Sequence, residues 1–307
     1  MPKPLVPVAN RPILFHHLDA LRQAGLLEAT IVVESDSAPA IRSAVGSGED
    51  WGLRVGFTEC PAPPGLDETL AIAHDFGGDE PVLIQRVGAL LRERIQPHIA
   101  AFAGERLDAL ALRLPRPEHA IDADAIEGGW LLSERALSIL TQRRPSPQDP
   151  FSSVRDQGGH VRLQEVDGCL PCNGGEDILL EANRRMLEKI TSDVDPACLH
   201  GSEVEGPVII HPTSRIEDSL VRGPAIIGPR SRLKRAYVGP YSSIGPDVVI
   251  EGAEIEHSIV LARAELRYLG TRLETSIIGQ RARVTRSFAV PKALRLSIGD
   301  GAEVALS

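Results

Sequence analysis

Residues 227–261 read IGPRSRLKRAYVGPYSSIGPDVVIEGAEIEHSIVL. Along this stretch Ile227, Leu233, Val238, Ile244, Ile250, Ile255 and Leu261 recur about every six positions. The series reaches back to Ile210 and Ile216 and resumes at Ile278, Val284, Val290, Ile298 and Val304. Glycine follows the marker at Gly228, Gly239, Gly245, Gly279 and Gly299. One apolar residue in six, with glycine beside it, is what a triangular coil of short parallel strands requires. Each marker is expected to point into the prism, and each glycine to take a corner conformation that a Cβ would strain. An antiparallel sandwich would instead alternate with period two and turn through hairpins. A parallel β-helix of hexapeptide repeats is therefore expected from about Gly206 to Val304.

Upstream the pattern changes. Helices are expected over Asn10–Gly25, Ser37–Val45, Gly65–Phe76, Leu90–Phe102 and Glu176–Ile190. In the last of these, Ile178, Leu179, Ala182, Met186 and Ile190 form the apolar side. Strands are expected over Ala29–Val33, Arg54–Thr58, Pro81–Gln85, Leu107–Leu112 and Val161–Val166. This alternation predicts a mostly parallel sheet with helices on both faces. The polar, turn-rich segment 191–206 is the natural boundary, giving an α/β domain over residues 1–192 and a β-helix domain over 200–307.

The chain has 307 residues, enough for two cores, and aromatics are only 4%, so both cores must be mostly aliphatic. A net charge of -9, from 33 basic and 42 acidic side chains, argues against nucleic acid as a partner. No run approaches the length of a membrane span, and the first residues do not read as a signal peptide. A cytosolic protein without a membrane partner is expected. Of the four cysteines, Cys169 and Cys172 have the C-x-x-C spacing of a redox or metal pair, against the plainer reading of two buried or turn thiols. An acyltransferase reading of the solenoid would need a histidine between coils, for which His211 and His257 are the candidates.

Four stretches carry a family likeness. The run from Pro2 to Ile13, PKPLVPVANRPI, resembles the conserved start of the sugar-1-phosphate nucleotidylyltransferases. So do Gly65-Leu66 with the helix ending at Asp75-Phe76 and the following Gly78-Asp79-Glu80-Pro81, the run Leu179-Leu180-Glu181-Ala182-Asn183-Arg184, and Val238 to Pro246 in the repeat. The chain is most similar to the long form of glucose-1-phosphate thymidylyltransferase, whose C-terminal domain is a left-handed β-helix. The resemblance implies a Rossmann-like nucleotidyltransferase domain. It also implies a reaction joining a sugar 1-phosphate to a nucleoside triphosphate with release of pyrophosphate. Such chemistry needs a backbone cradle for the triphosphate, cations for its oxygens and carboxylates for Mg²⁺.

The likeness also locates departures. The family's Gly-rich phosphate loop, on a central strand, precedes the Pro-Lys motif at which this chain begins, so an incomplete sheet is expected. One family metal Asp corresponds to Gly88 and the other to Cys172, and a thiol suits a hard cation poorly. The base-reading Gln corresponds to Cys60. The lysine that meets the sugar phosphate corresponds to Arg116, which keeps charge but not donor geometry. Lys3, Gly65, Arg116 and Gly128 stand as substrate-binding remnants. Lys3 also reads as a solvated terminal lysine, Gly65 as a common pre-helix glycine and Gly128 as an ordinary strand glycine. Two readings follow. In one, the protein has lost catalysis and binds a nucleotide or sugar phosphate without a metal cofactor, as a regulatory, homo- or hetero-oligomeric partner assembled through the β-helix. In the other it is an active nucleotidylyltransferase making an NDP-glucose, with a true start upstream of Met1 and with Mg²⁺ held through relocated ligands such as Asp67, Glu68 or Asp75.

Overall fold

The computed structural model describes residues 2–114, 128–143, 145–146, 149–169 and 175–286. The chain opens with a single 3₁₀ turn, Lys3–Leu5, and a miniature hairpin, β1 (Pro7–Val8) and β2 (Arg11–Pro12). Val8 pairs with Arg11, so Ala9 and Asn10 form a two-residue loop, and both sit at positive φ (49° and 60°). That is the backbone a type I′ hairpin turn demands. The hairpin displaces the expected helix start, and α1 runs only over Ile13–Gln23.

The α/β half continues with β3 (Glu28–Glu34), α2 (Ala38–Val45), β4 (Arg54–Cys60), α3 (Leu66–Gly77) and β5 (Val82–Ile84). There follow β6 (Leu90–Leu91), α4 (Gln96–Gly104), β7 (Ala109–Arg113), β8 (Gly129–Leu132), α5 (Glu134–Gln142), α6 (Ser152–Asp156), β9 (Val161–Glu165), β10 (Gly168–Cys169) and α7 (Glu176–Leu187). The helix expected over Leu90–Phe102 is corrected. Leu90 and Leu91 pair antiparallel with Cys169 and Gly168, and the helix starts at Gln96. Pro97 falls in the first turn of this helix, where its missing N–H breaks no hydrogen bond.

The sheet is in two pieces. β3 and β4 pair in parallel from Glu28↔Arg54 to Glu34↔Cys60. The second piece runs β5-β8-β7-β9, with β8 antiparallel to both neighbours and β7 parallel to β9. The order is therefore mixed rather than mostly parallel, because β8 enters between β5 and β7. Among the described strands none bridges β3 to β5, in keeping with the incomplete sheet expected from the motifs.

The second half is a parallel β-helix with three faces. Face one stacks Asp193–Val194, Val208–Ile210, Ala225–Ile227, Ser242–Ile244, Ile259–Val260 and Ile277–Ile278. Face two stacks Leu199–His200, Arg215–Glu217, Arg232–Lys234, Val249–Glu251, Glu265–Arg267 and Arg283–Thr285. Face three stacks Glu203–Glu205, Leu220–Arg222, Tyr237–Val238, Glu254–Glu256 and Leu273–Glu274. The coil begins at Asp193, within the segment whose composition reads as a linker. There the inward residues Val194, Leu199 and Val204 pack against the solenoid core. Val290, Ile298, Gly299 and Val304 lie outside the described residues.

The repeat is not a strict hexad. Val208 pairs with Ala225 and Ala225 with Ser242, which makes a 17-residue coil. The buried residues run Ile216, Val221, Ile227, Leu233, Val238, Ile244, Ile250, Ile255 and Val260, so one side of each triangle is a residue shorter. Next comes a 16-residue step from Ile244 to Val260, which turns Val260 inward and leaves the expected marker Leu261 half-buried. The corner glycines are also explained differently. Gly228 and Gly245 do not carry the turn's positive φ, which falls two residues later on Arg230 and Asp247. Instead a Cβ at Gly228 would lie 2.8 Å from the carbonyl carbon of Gly245, and one at Gly245 would lie 2.9 Å from the amide of Ala262. Close stacking of successive corners demands glycine there.

Candidate functional site

In open α/β sheets, ligands bind beyond the carboxyl ends of the strands. The ends are Glu34, Cys60, Ile84 and Arg113. The segment after β5 makes a turn, with the Ala89 amide donating to the Arg86 carbonyl, and Gly88 lies in it. Around this turn the structure gathers much of what the motifs single out. Leu5 of the Lys3 turn and Val87 pack on one cluster with α1 and β3, and Val6 and Val87 share the cluster around Val8 and Ile13. Leu66, the residue after Gly65, packs on the same core cluster as Ile84. Gly129 stands against the end of β5, since a Cβ there would be 3.0 Å from the Ile84 carbonyl oxygen.

Each expected site residue has a definite place. Lys3 is exposed on its 3₁₀ turn. Gly65 caps α3 with extended backbone, and a Cβ there would meet open space, so packing does not require the glycine. Gly128 is buried. Its amide donates to the Leu112 carbonyl at 3.0 Å, and a Cβ would come within 2.8 Å of that oxygen, so tight β7–β8 pairing accounts for it. Gly88 offers no side-chain oxygen. Arg116 and Cys172 lie outside the described residues.

The thiols are subdued. Cys60 is buried at the end of β4, and burial, with the Glu68 carboxylate beside it, raises its pKa. Burial pushes Cys169 up to about 11, against the pull of Arg185 and Arg92. Neither is a poised thiolate at neutral pH. Among the described residues no three His, Cys, Asp or Glu side chains converge to hold a metal ion. The described part of the site therefore does not fit the Mg²⁺ that the family likeness implies.

Sequence reasoning passed over two adjacent histidines that hold the site's loops. His16 Nε2 lies 2.9 Å from the Val8 carbonyl, and His17 Nε2 lies 3.2 Å from the Val87 carbonyl. A carbonyl only accepts, so each ring donates from Nε2. Burial lowers both pKa values, that of His17 to about 4, so both rings are neutral at pH 7. α1 thus clasps the β1–β2 hairpin with one ring and the Gly88 turn with the next. Helical periodicity cannot flag them, because polar residues facing inward look like breaks in an apolar stripe.

Asn183, which stands in a run that carries the family likeness but has no role assigned from sequence, is fully buried on α7. The buried residues of that helix are Leu180, Ala182, Asn183 and Leu187; of the expected apolar side, Ala182 is buried and Leu179 and Met186 pack on the cluster around Val8 and Ile13, while Ile178 is 41% exposed. Behind the site, a cleft of about 330 Å³ lies between α1, the Leu91–Gln96 segment and α7. Its polar lining includes Asp19, Arg92, Arg94 and Lys189. Arg92 is held by Asp167 at 3.3 Å and Glu188 at 2.9 Å.

Comparison with known proteins accords with this arrangement. The nucleotidyl transferase family model matches residues 1–117. A glucose-1-phosphate thymidylyltransferase of Streptomyces griseus is 30% identical over 99% of this chain and 94% of its own length. A protein of the same name from Streptomyces antibioticus is 27% identical over 98% and 93%. A low-salt glycan biosynthesis nucleotidyltransferase of Haloferax volcanii is 26% identical over 99% and 94%. Among solved structures, a putative glucose-1-phosphate thymidylyltransferase from Bacillus anthracis, crystallised with a sucrose, superposes with a TM-score of 0.51. It covers 62% of this chain and 89% of its own at 17% identity, a likeness of fold. No described helix is long and apolar enough to cross a membrane.

The buried His17 makes a pH prediction. Its folded pKa of about 4 lies below the ordinary value of 6.5, so the unfolded chain takes up the proton first as pH falls. Stability from this group is intact above pH 6.5 and is lost progressively down to about pH 4, with about 2 kcal/mol gone by pH 5. His17→Gln should remove that component. Denaturant midpoints measured between pH 7 and pH 5 should fall less steeply in the variant than in the wild type.

Proposed function

Since this chain belongs to the sugar-1-phosphate nucleotidyltransferase family, we propose that it keeps that family's ligand-binding architecture and has lost its metal-dependent chemistry. In this reading it binds a nucleotide or sugar phosphate and acts as a regulatory or assembling partner in nucleotide-sugar metabolism. The observation that carries the proposal is the turn after β5. Residues 85–89 read Gln-Arg-Val-Gly-Ala, with Gly88 where the family likeness expects a metal-holding Asp. A hard dication prefers several oxygen ligands, and this turn carries no carboxylate. What the turn retains is a position beside the Lys3 segment, so charge neutralisation of a phosphate by an ammonium remains available.

The binding role rests on chemistry that needs no metal. Lys3 supplies the charge, Gly65 opens the N-terminus of α3, and Arg116 and Gly128 complete the set drawn from the family likeness. A helix N-terminus favours an anion through its unpaired amides. The names of the two Streptomyces relatives refer to glucose 1-phosphate and thymidylyl transfer, which makes dTTP and a dTDP-sugar the first ligands to try.

The solenoid supplies the association surface. Face one is occupied by the α/β half at its middle coils, where α7 meets Ser242–Ile244. Faces two and three remain, crossed by charge pairs such as Arg283–Glu265 on face two and Arg222–Glu205 on face three.

Two outcomes follow. Incubation of the full chain with glucose 1-phosphate, dTTP and Mg²⁺ should release pyrophosphate only at the background rate, while Lys3→Ala weakens dTTP binding about tenfold, the worth of one charge-assisted hydrogen bond. Robust Mg²⁺-dependent turnover would sink the proposal and favour relocated ligands among Asp67, Glu68 and Asp75. In sedimentation, a fragment of residues 193–307 should assemble as the full chain does. A monomeric fragment beside an assembled full chain would move the association surface to the α/β half.

A further inference from the structure

The β1–β2 hairpin follows directly on the turn that carries Lys3. The Val6 amide donates to the Lys3 carbonyl at 3.1 Å, and the Ile13 amide donates to the Val6 carbonyl at 3.0 Å. The placement of Lys3 therefore depends on how the hairpin is held. At its tip Ala9 carries φ 49°, a left-handed conformation that costs an L-residue with a Cβ roughly 1–2 kcal/mol. Something outside the hairpin must offset that cost.

The hold comes from two sides at once. Asn183, wholly buried on α7, accepts at Oδ1 from the Ala9 amide at 2.9 Å and from the Ser243 hydroxyl at 2.7 Å. Its Nδ2 donates to the Tyr241 carbonyl at 3.1 Å. Asn10, the other tip residue, donates from Nδ2 to the Ile244 carbonyl at 2.6 Å. The next residue on α7, Arg184, places its guanidinium 5.9 Å from the centre of the Tyr241 ring. Hairpin tip, helix and middle coil thus meet at one buried amide.

We infer that Asn183 is a positioning residue for Lys3, acting through the hairpin, and that the middle coil of the solenoid is thereby a structural wall of the ligand site. This inference rests on the reading that Lys3 meets a ligand phosphate. Truncating Asn183 to Ala orphans the Ala9 amide and leaves the strained tip tied to the solenoid only through Asn10. The disturbance travels five residues back along the chain to the Lys3 turn.

The test combines hydrogen exchange with binding, using dTTP as the probe, on the wild type, Asn183→Ala, Lys3→Ala and the double variant. Asn183→Ala should speed exchange in residues 3–13 while α3, α5 and face two of the solenoid keep wild-type protection. It should weaken dTTP binding about tenfold in the wild-type background and not at all in the Lys3→Ala background, the signature of coupled residues. Ser243→Ala, which removes one of the three bonds, should give the same pattern at smaller amplitude and serves if Asn183→Ala does not fold. Faster exchange throughout the protein, or equal weakening in both backgrounds, would overturn the inference in favour of a purely structural amide. If Lys3→Ala itself leaves dTTP binding unchanged, the phosphate reading fails and the positioning role with it. In that case the exchange data still report whether the clamp exists.

Discussion

One buried amide joins the two halves of this molecule. Asn183 is fully removed from solvent, and burying an unbonded amide would cost roughly 2–7 kcal/mol. The cost is avoided only if the N-terminal hairpin, α7 and the Ser242–Ile244 coil all sit where its three hydrogen bonds require. Three segments far apart in sequence are therefore fixed by a single side chain. The same constraint tolerates the left-handed backbone at Ala9 and sets the rotation of α7, whose buried residues are Leu180, Ala182, Asn183 and Leu187, while Ile178 of the expected apolar side turns outward.

The solenoid was legible because each of its sides needs one inward aliphatic residue, and such a demand writes itself into the sequence at fixed spacing. Its first coil was not, since Val194, Leu199 and Val204 sit among Asp193, Asp195, Pro196 and Gly201, which read as a linker. The corner glycines Gly228 and Gly245 answer to the backbone of the neighbouring coil at 2.8–2.9 Å and not to a turn conformation, whereas a Cβ at Gly279 would meet open space. In the α/β half, amphipathic helices were readable from local pattern. The pairing of Leu90–Leu91 with Gly168–Cys169 was not, because a two-residue strand has no periodicity.

The candidate site shows the same division. Family likeness brought out Lys3, Gly65, Gly88 and Gly128, and the structure sets Lys3, Gly65 and Gly88 in segments that pack around the end of β5. Two supporting polar residues, His16 and His17, are invisible to hydrophobic patterning, which counts any buried polar residue as exposed, while Asn183 stands in a run that carries the family likeness and has no role assigned from sequence. Yet these residues hold the loops. Burial keeps both histidines neutral, so each donates a single hydrogen bond to a carbonyl that needs one. The site is a set of loops fixed from behind by neutral donors and presented forward with a lysine. Its strand-end turn lacks the carboxylate that a magnesium ion would need.

The central claim is that phosphate binding here is independent of a divalent cation. Calorimetric titration of the full chain with dTTP tests it most directly, run once with a chelator and once with millimolar Mg²⁺. The account predicts one dissociation constant for both titrations, within the small shift that Mg²⁺ binding to the free nucleotide imposes. Binding that appears only with Mg²⁺ would contradict it and place a metal site among the carboxylates near the strand ends.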